Sequence, residues 1–304
     1  MNQLVRAERF CLIGHIVSKA FGLAGLLLVI PNADAIVNLA AGGEPLFQWS
    51  VEKSMAGGGV ADILFGTIAV SIYAYRTLGL KTWLAFMLPS MSISLLSELL
   101  GTGTGFPFGE YSYLSGLGYK IGGLVPFTIP LSWFYMGLSA YLIARVALNS
   151  IGLNWLRQIG AILLGAMLFT AWDFALEPAM SQTAFPFWYW WQPGAFFGTP
   201  YQNYAGWFGT SALFMSVAAI LWRNLSLNIQ RSQLTMPLVV YLSNVIFAAA
   251  ISLNAGYWVP VALSVLLGVA PILLLWWMAQ SNLASTGLEE AGISVTPPIK
   301  VALK

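Results

Sequence analysis

Runs of roughly 20 apolar residues, separated by short basic or longer glycine- and aromatic-rich stretches, recur along the whole chain. None alternates with period two, and Leu, Ala and Gly fill them, so the pattern predicts membrane-length helices and not barrel strands. Eight spans fit, over residues 10–30, 60–78, 82–100, 124–148, 156–176, 205–222, 236–253 and 258–279. The fold class is therefore all-α: a polytopic membrane helical bundle of about eight transmembrane helices. Residues 1–280 form a single transmembrane helical domain, and the polar tail 281–304, with Pro297 and Pro298, is expected to be disordered. Arg6 and Arg9 precede the first run, but it outlasts a signal-peptide core and lacks a small-residue cleavage site, so it reads as a retained span.

Composition sharpens this. Hydrophobic residues make up 58% of the chain and charged ones 8%, with a mean hydropathy of +0.76, whereas about a quarter of a soluble domain is charged. Lys and Arg are distributed by topology: Arg6, Arg9, Arg76, Lys81, Arg145, Arg157, Arg223, Arg231, Lys300 and Lys304 fall on one side, and only Lys53 and Lys120 on the other. The positive-inside rule then puts both termini in the cytoplasm. Asp34, Glu44, Glu52, Asp62, Glu98, Glu110, Asp173 and Glu177 gather at the opposite ends of the spans, where the loops 31–59, 101–123 and 178–204 are long. A net charge of +2 without a dense basic patch makes nucleic acid an unexpected partner, and the lone Cys11 has no intramolecular disulfide partner.

Acid chemistry is what the remaining polar residues suggest. Asp173 and Glu177 are four apart, hence on one helical face, with Pro178 expected to end the helix behind them. Two carboxyls so close in a poorly solvated place do not both ionise cheaply, and a protonated carboxyl beside an ionised one is an acid/base pair. Glu98 closes the third span, and the Gly-Thr-Gly-Thr-Gly run after it is expected to fold the chain back and return Glu110 towards the membrane. Solvated carboxylates on a surface loop, or a structural pair with Lys120, are the alternatives. Asp62 follows three glycines, where an acid at a helix N-terminus is favoured by the dipole; it is a secondary candidate, as is Lys120. His15 and Lys19 are expected nearer the cytoplasm, away from the acids. The aromatic stretch FPFWYWWQPGAFFGTPYQNY at 185–204 suits an interfacial belt and a cavity wall equally. No Gly-x-Ser-x-Gly elbow and no set of histidines for a di-iron centre is present, so the residues suggest a membrane enzyme using carboxylic acids, with no cofactor and no metal.

The stretches SELLGTGTGFPFGEYSYLSGLGYKIGGLVPFTIPLSWFYMGLSAYLIAR, AWDFALEPAM and FWYWWQPGAFFGTPYQNYAGWF resemble the carotenoid 1′,2′-hydratase family. The resemblance implies addition of water across the terminal C1′=C2′ double bond of an acyclic carotenoid end, of γ-carotene or lycopene type, without a redox cofactor. Protonation at C2′ leaves a tertiary cation at C1′, which water captures. Asp173 is the expected acid and Glu177 its partner or water base, with Glu98 and Glu110 as the other pair. Trp172, Tyr189, Trp190 and Trp207 are candidates to face the cation, and Tyr111 and Phe106 to line the polyene. The implied partners are the carotenoid, the bilayer and other carotenoid-pathway enzymes, in a plasma or thylakoid membrane if the source is cyanobacterial. A cyclase or isomerase trapping the same cation differently, and a proton-coupled transporter, remain alternatives.

Overall fold

A computed structural model describes residues 2–32, 34–35, 43–149, 154–225, 227 and 229–279. The proposed tail 281–304 lies outside these residues. The described residues form eight long helices: α1 (Asn2–Ala24), α2 (Gly43–Leu78), α3 (Leu80–Thr104), α4 (Thr128–Ala147), α5 (Asn154–Ser181), α6 (Tyr201–Leu221), α7 (Arg231–Asn254) and α8 (Trp258–Ala279). A π-helical turn at Gly25–Val29 and a 3-10 turn at Ile30–Asn32 prolong α1, and another π turn, Val265–Val269, interrupts α8. Among the described residues seven helices, all but α4, are long and apolar enough to cross a bilayer, so the protein is a multi-pass integral membrane protein.

The exception is the centre of the bundle. Of the 20 residues of α4, only Leu131, Ser132 and Arg145 are not buried, and it packs against α2, α3, α5, α6 and α7. Lipid does not reach it, so it can carry Ser, Thr and Tyr that an outer helix would leave in hydrocarbon. Behind it Trp133, Phe169 and Trp207 form an aromatic cluster with ring centroids 4.6–5.0 Å apart. α1 stays peripheral, held mainly to α2, where a Cβ on Gly66 would lie 2.8 Å from His15 Nδ1. Only glycine lets the two helices come this close.

Several expected boundaries shift. α2 does not start near Val60: it begins at Gly43 and runs through Gly57, Gly58 and Gly59. Asp62 is thus mid-helix, and the N-terminal dipole reading of it fails, because glycines are tolerated inside membrane helices. α3 likewise runs through Gly101 and Gly103 and stops at Gly105, whose φ of 79° makes it the left-handed cap. α5 passes Pro178 and ends at Ser181.

The long loops between helices carry short strands. β1 (Tyr111–Tyr113) follows α3, β2 (Lys120–Ile121) pairs with β3 (Val125–Pro126), and β4 (Trp188–Trp190) follows α5. β1 and β4 pair antiparallel, with Tyr111 opposite Trp190 and Tyr113 opposite Trp188. This two-stranded cap closes the acidic end of the bundle. At the basic end Arg76 reaches Glu8 at 2.8 Å, and Arg145 bonds the Tyr141 hydroxyl and the Trp222 carbonyl.

Candidate functional site

Period-two alternation decides what the cap shows to the interior. Tyr111 and Tyr113 on β1, and Trp188 and Trp190 on β4, are buried, while Ser112, Tyr189 and Trp191 point the other way. Trp191, 60% exposed, donates its indole N–H to the Ser112 hydroxyl at 3.1 Å on the outer face. The aromatic loop is therefore half wall and half surface.

Each strand holds one glutamate. Glu98, one turn from the end of the long axis of α3's buried face, accepts the Tyr113 hydroxyl at 2.8 Å and the Tyr111 hydroxyl on Oε2, and the Trp133 indole N–H at 3.1 Å on Oε1. A Cβ at Gly101 would stand 2.7 Å from Phe108 and 3.2 Å from the Tyr111 oxygen, so the glycine run serves close approach to the cap. Burial first, and the Glu98 carboxylate next, push the Tyr111 and Tyr113 phenols well above their ordinary range, which keeps both as O–H donors. Glu177 on α5 accepts the Trp188 and Trp190 indole N–H groups at 3.1 and 3.0 Å on Oε2. Asp173 is one turn earlier on the same helix; its Oδ2 accepts the Asn203 amide at 2.8 Å, and its buried Oδ1 has no hydrogen-bond partner among the described residues.

These groups border a cavity of about 490 Å³ that is walled on one side by the end of α1 and is otherwise lined mainly by aromatic and aliphatic side chains. Glu98 and Glu177 line it; Asp173, fully buried, stands behind. Trp172, Trp190, Trp207 and Tyr111 are on the wall, as expected of cavity residues. Tyr189 faces outward, and its place is taken by Trp188. Phe106 is 69% exposed and Glu110 is exposed; both border a shallow polar depression beyond the cap, apart from the cavity. Glu110 precedes Tyr111 on the strand and so points the opposite way. Lys120 gives its ammonium to the Tyr113 carbonyl at 2.5 Å and pairs with neither glutamate.

Residues 58–271 match the family model described as carotenoid biosynthesis protein. The chain belongs to that family. The carotenoid biosynthesis match takes in both strands of the cap and Asp62, Glu98, Glu110, Asp173 and Glu177. Over 179 residues the chain is 32% identical to the bisanhydrobacterioruberin hydratase of Haloarcula japonica. That alignment covers 59% of this chain and 58% of the relative's length. No solved structure matches.

In this member of the family the acids extend beyond the pairs that sequence spacing brings together. His15 and Lys19, expected far from the acids, instead meet Asp62: Lys19 Nζ is 2.6 Å from Oδ2 and His15 Nδ1 2.8 Å from Oδ1. α2 starts earlier than predicted, which sets Asp62 beside the middle of α1 rather than at a helix end. Lys19 and Asp62 also line the cavity. Of the groups not foreseen, Tyr113 and Trp188 carried a usable signal, the Tyr-Ser-Tyr and Trp-Tyr-Trp alternation.

Proposed function

We propose that this protein is a carotenoid hydratase that adds water across the terminal C1′=C2′ double bond of an acyclic carotenoid end, of γ-carotene or lycopene type. One observation carries the reading: two buried glutamates, each held by neutral phenol or indole donors, border an aromatic-walled apolar cavity. Family membership and the identity to a hydratase support the substrate class and the reaction type.

The geometry suggests roles. Asp173 and Glu177 lie one turn apart on α5, both buried, and two carboxyls so placed share a single proton between them. Glu177, the member that reaches the cavity, delivers it to C2′, and Asp173 reloads it. Glu98, fixed by three donors, is the anion that faces the developing charge at C1′. The faces of Trp133 and Trp207, 4.6 Å apart, add cation–π stabilisation. A cavity of about 490 Å³ takes an end group rather than a whole C40 polyene, so the remaining chain lies outside it. The positive-inside bias puts the basic end in the cytoplasm and the cavity towards the other face.

The test is expression in cells that make lycopene or γ-carotene. The pigment should gain the mass of one water, with its oxygen drawn from labelled water and not from O₂. Glu177→Gln and Glu98→Gln should abolish the product, while Glu110→Gln, outside the cavity, should leave it within about twofold. Unchanged pigment with inserted, folded protein would end the hydratase reading, and a cyclised product of unchanged mass would move it to a cyclase.

A further inference from the structure

The cavity has a second polar wall. Along α4, Ser132 faces its middle, and at about 100° per residue Trp133 and Tyr135 fall on opposite flanks. Trp133 binds Glu98, whereas Tyr135 packs edge-on against His15 at 5.6 Å, beside the Lys19–Asp62 pair. Asp62 lies 16 residues before the end of α2, and Glu98 18 residues after the start of α3, the two helices being joined at Gly79. At 1.5 Å per residue those are about 24 and 27 Å from the shared turn, so the two acids sit at nearly one depth.

The second wall is wired as an ordered carboxylate. Asn244 Nδ2 is 3.2 Å from His15 Nε2 and is a donor, so Nε2 accepts and the proton of the neutral ring is on Nδ1, which donates to the Asp62 backbone carbonyl at 3.0 Å and lies 2.8 Å from carboxylate Oδ1. The Asn244 side chain is itself fixed, donating to the Val240 carbonyl and accepting from Tyr135. Lys19 gives one N–H to Asp62 and lies 5.0 Å from the face of Phe247, both cavity residues. An ammonium with donors to spare next to a carboxylate with lone pairs to spare, both bordering the same apolar space, matches one small ligand: an O–H that accepts from the first and donates to the second. Ionisable residues inside a membrane bundle face its interior or a water-filled cavity and mark functional sites by default.

We propose that Lys19 and Asp62, oriented by His15 and Asn244, seat the water that attacks the cation, across the cavity from the proton donor. This rests on the hydratase reading above. In the step, the water oxygen forms the bond to C1′, and one water proton passes to the Asp62 carboxylate. The Glu177 proton ends on C2′, and transfer between the two carboxyls through solvent restores both. His15 and Asn244 act as positioning residues.

The experiment separates protonation from capture. Membranes holding the protein are incubated with unlabelled carotenoid in D₂O, and both hydrated product and deuterium in the recovered substrate are measured. The variant is Lys19→Met combined with Asp62→Leu, which removes both charges together and leaves no unpaired ion; His15→Gln is the milder companion. Expected is a loss of hydration of at least about a hundredfold with deuterium still entering the recovered alkene, because a cation formed without its water loses a proton again. His15→Gln should lower hydration about tenfold with the same retained exchange. Wild-type hydration in the double variant overturns the proposal. Loss of hydration and exchange together, or failure of the charge-free variant to fold, marks the pair as structural and overturns it as well. If the wild-type protein neither hydrates nor exchanges, the hydratase reading itself has failed, a distinct outcome.

Discussion

Glu98 offers the most demanding test, because its three donors differ in what they tolerate. In Glu98→Gln the side chain keeps its shape but exchanges one acceptor oxygen for an NH₂. Trp133 Nε1 can only donate, whereas the Tyr111 and Tyr113 oxygens can turn and accept. The amide should therefore place its carbonyl on Trp133 and its NH₂ on the phenols, losing about one hydrogen bond, or roughly 1–2 kcal/mol. Glu98→Ala leaves all three buried donors without a partner, for about 3–6 kcal/mol at 1–2 kcal/mol each. Melting of purified protein in detergent should rank wild type above Glu98→Gln above Glu98→Ala, with Trp133→Phe costing less in the Gln background than in the wild type. Product formation should fall by about 10²–10³ in both Glu98 variants, the scale for removing an electrostatic stabiliser. Equal melting of the Gln and Ala variants would refute the three-donor arrangement, and full activity of Glu98→Gln would refute its role in catalysis.

Two further outcomes follow from the cap. Trp190→Phe removes one of the two indole donors on Glu177 while keeping the ring wall, and should lower product formation about tenfold, roughly 1.4 kcal/mol, with little change in melting; loss of insertion instead would make Trp190 a packing residue. Because the Tyr111 and Tyr113 phenols titrate higher in the fold than in the unfolded chain, the folded state binds more protons at high pH, so stability is intact below about pH 10 and falls as pH climbs past it. Melting followed from pH 8 to 11 should show a slope that shrinks in Tyr111→Phe/Tyr113→Phe; an unchanged slope would contradict the burial of these phenols.

Much of the architecture was readable because membrane helices announce themselves by apolar length. The acids at one end, the Asp173/Glu177 spacing and the aromatic stretch near them all depend on local periodicity, and the structure puts Glu98, Glu177 and Asp173 close together. What escaped was non-local. β1 pairs with β4 across 75 to 79 residues of sequence, so nothing near Tyr113 indicates that Trp188 lies opposite it. Glycines 57–59, which end helices in water, sit inside α2, and this one misreading displaced Asp62 and separated it from His15 and Lys19. α4 is the least lipid-like span because it touches no lipid, a property of its neighbours rather than of its own residues.

The pairing of β1 with β4 has one more consequence. Glu98 hangs from one strand and Glu177 from the other, so their spacing is a vernier read on a single register. A slip of one residue in β1 would turn Ser112 inward in place of the tyrosines, and one in β4 would turn Tyr189 inward in place of the indoles, disarming the glutamate which that strand holds. Insertions or deletions of one residue in either loop should therefore act as on/off lesions, whereas pairs of residues added together preserve the facing and shift the two acids along the cap in steps.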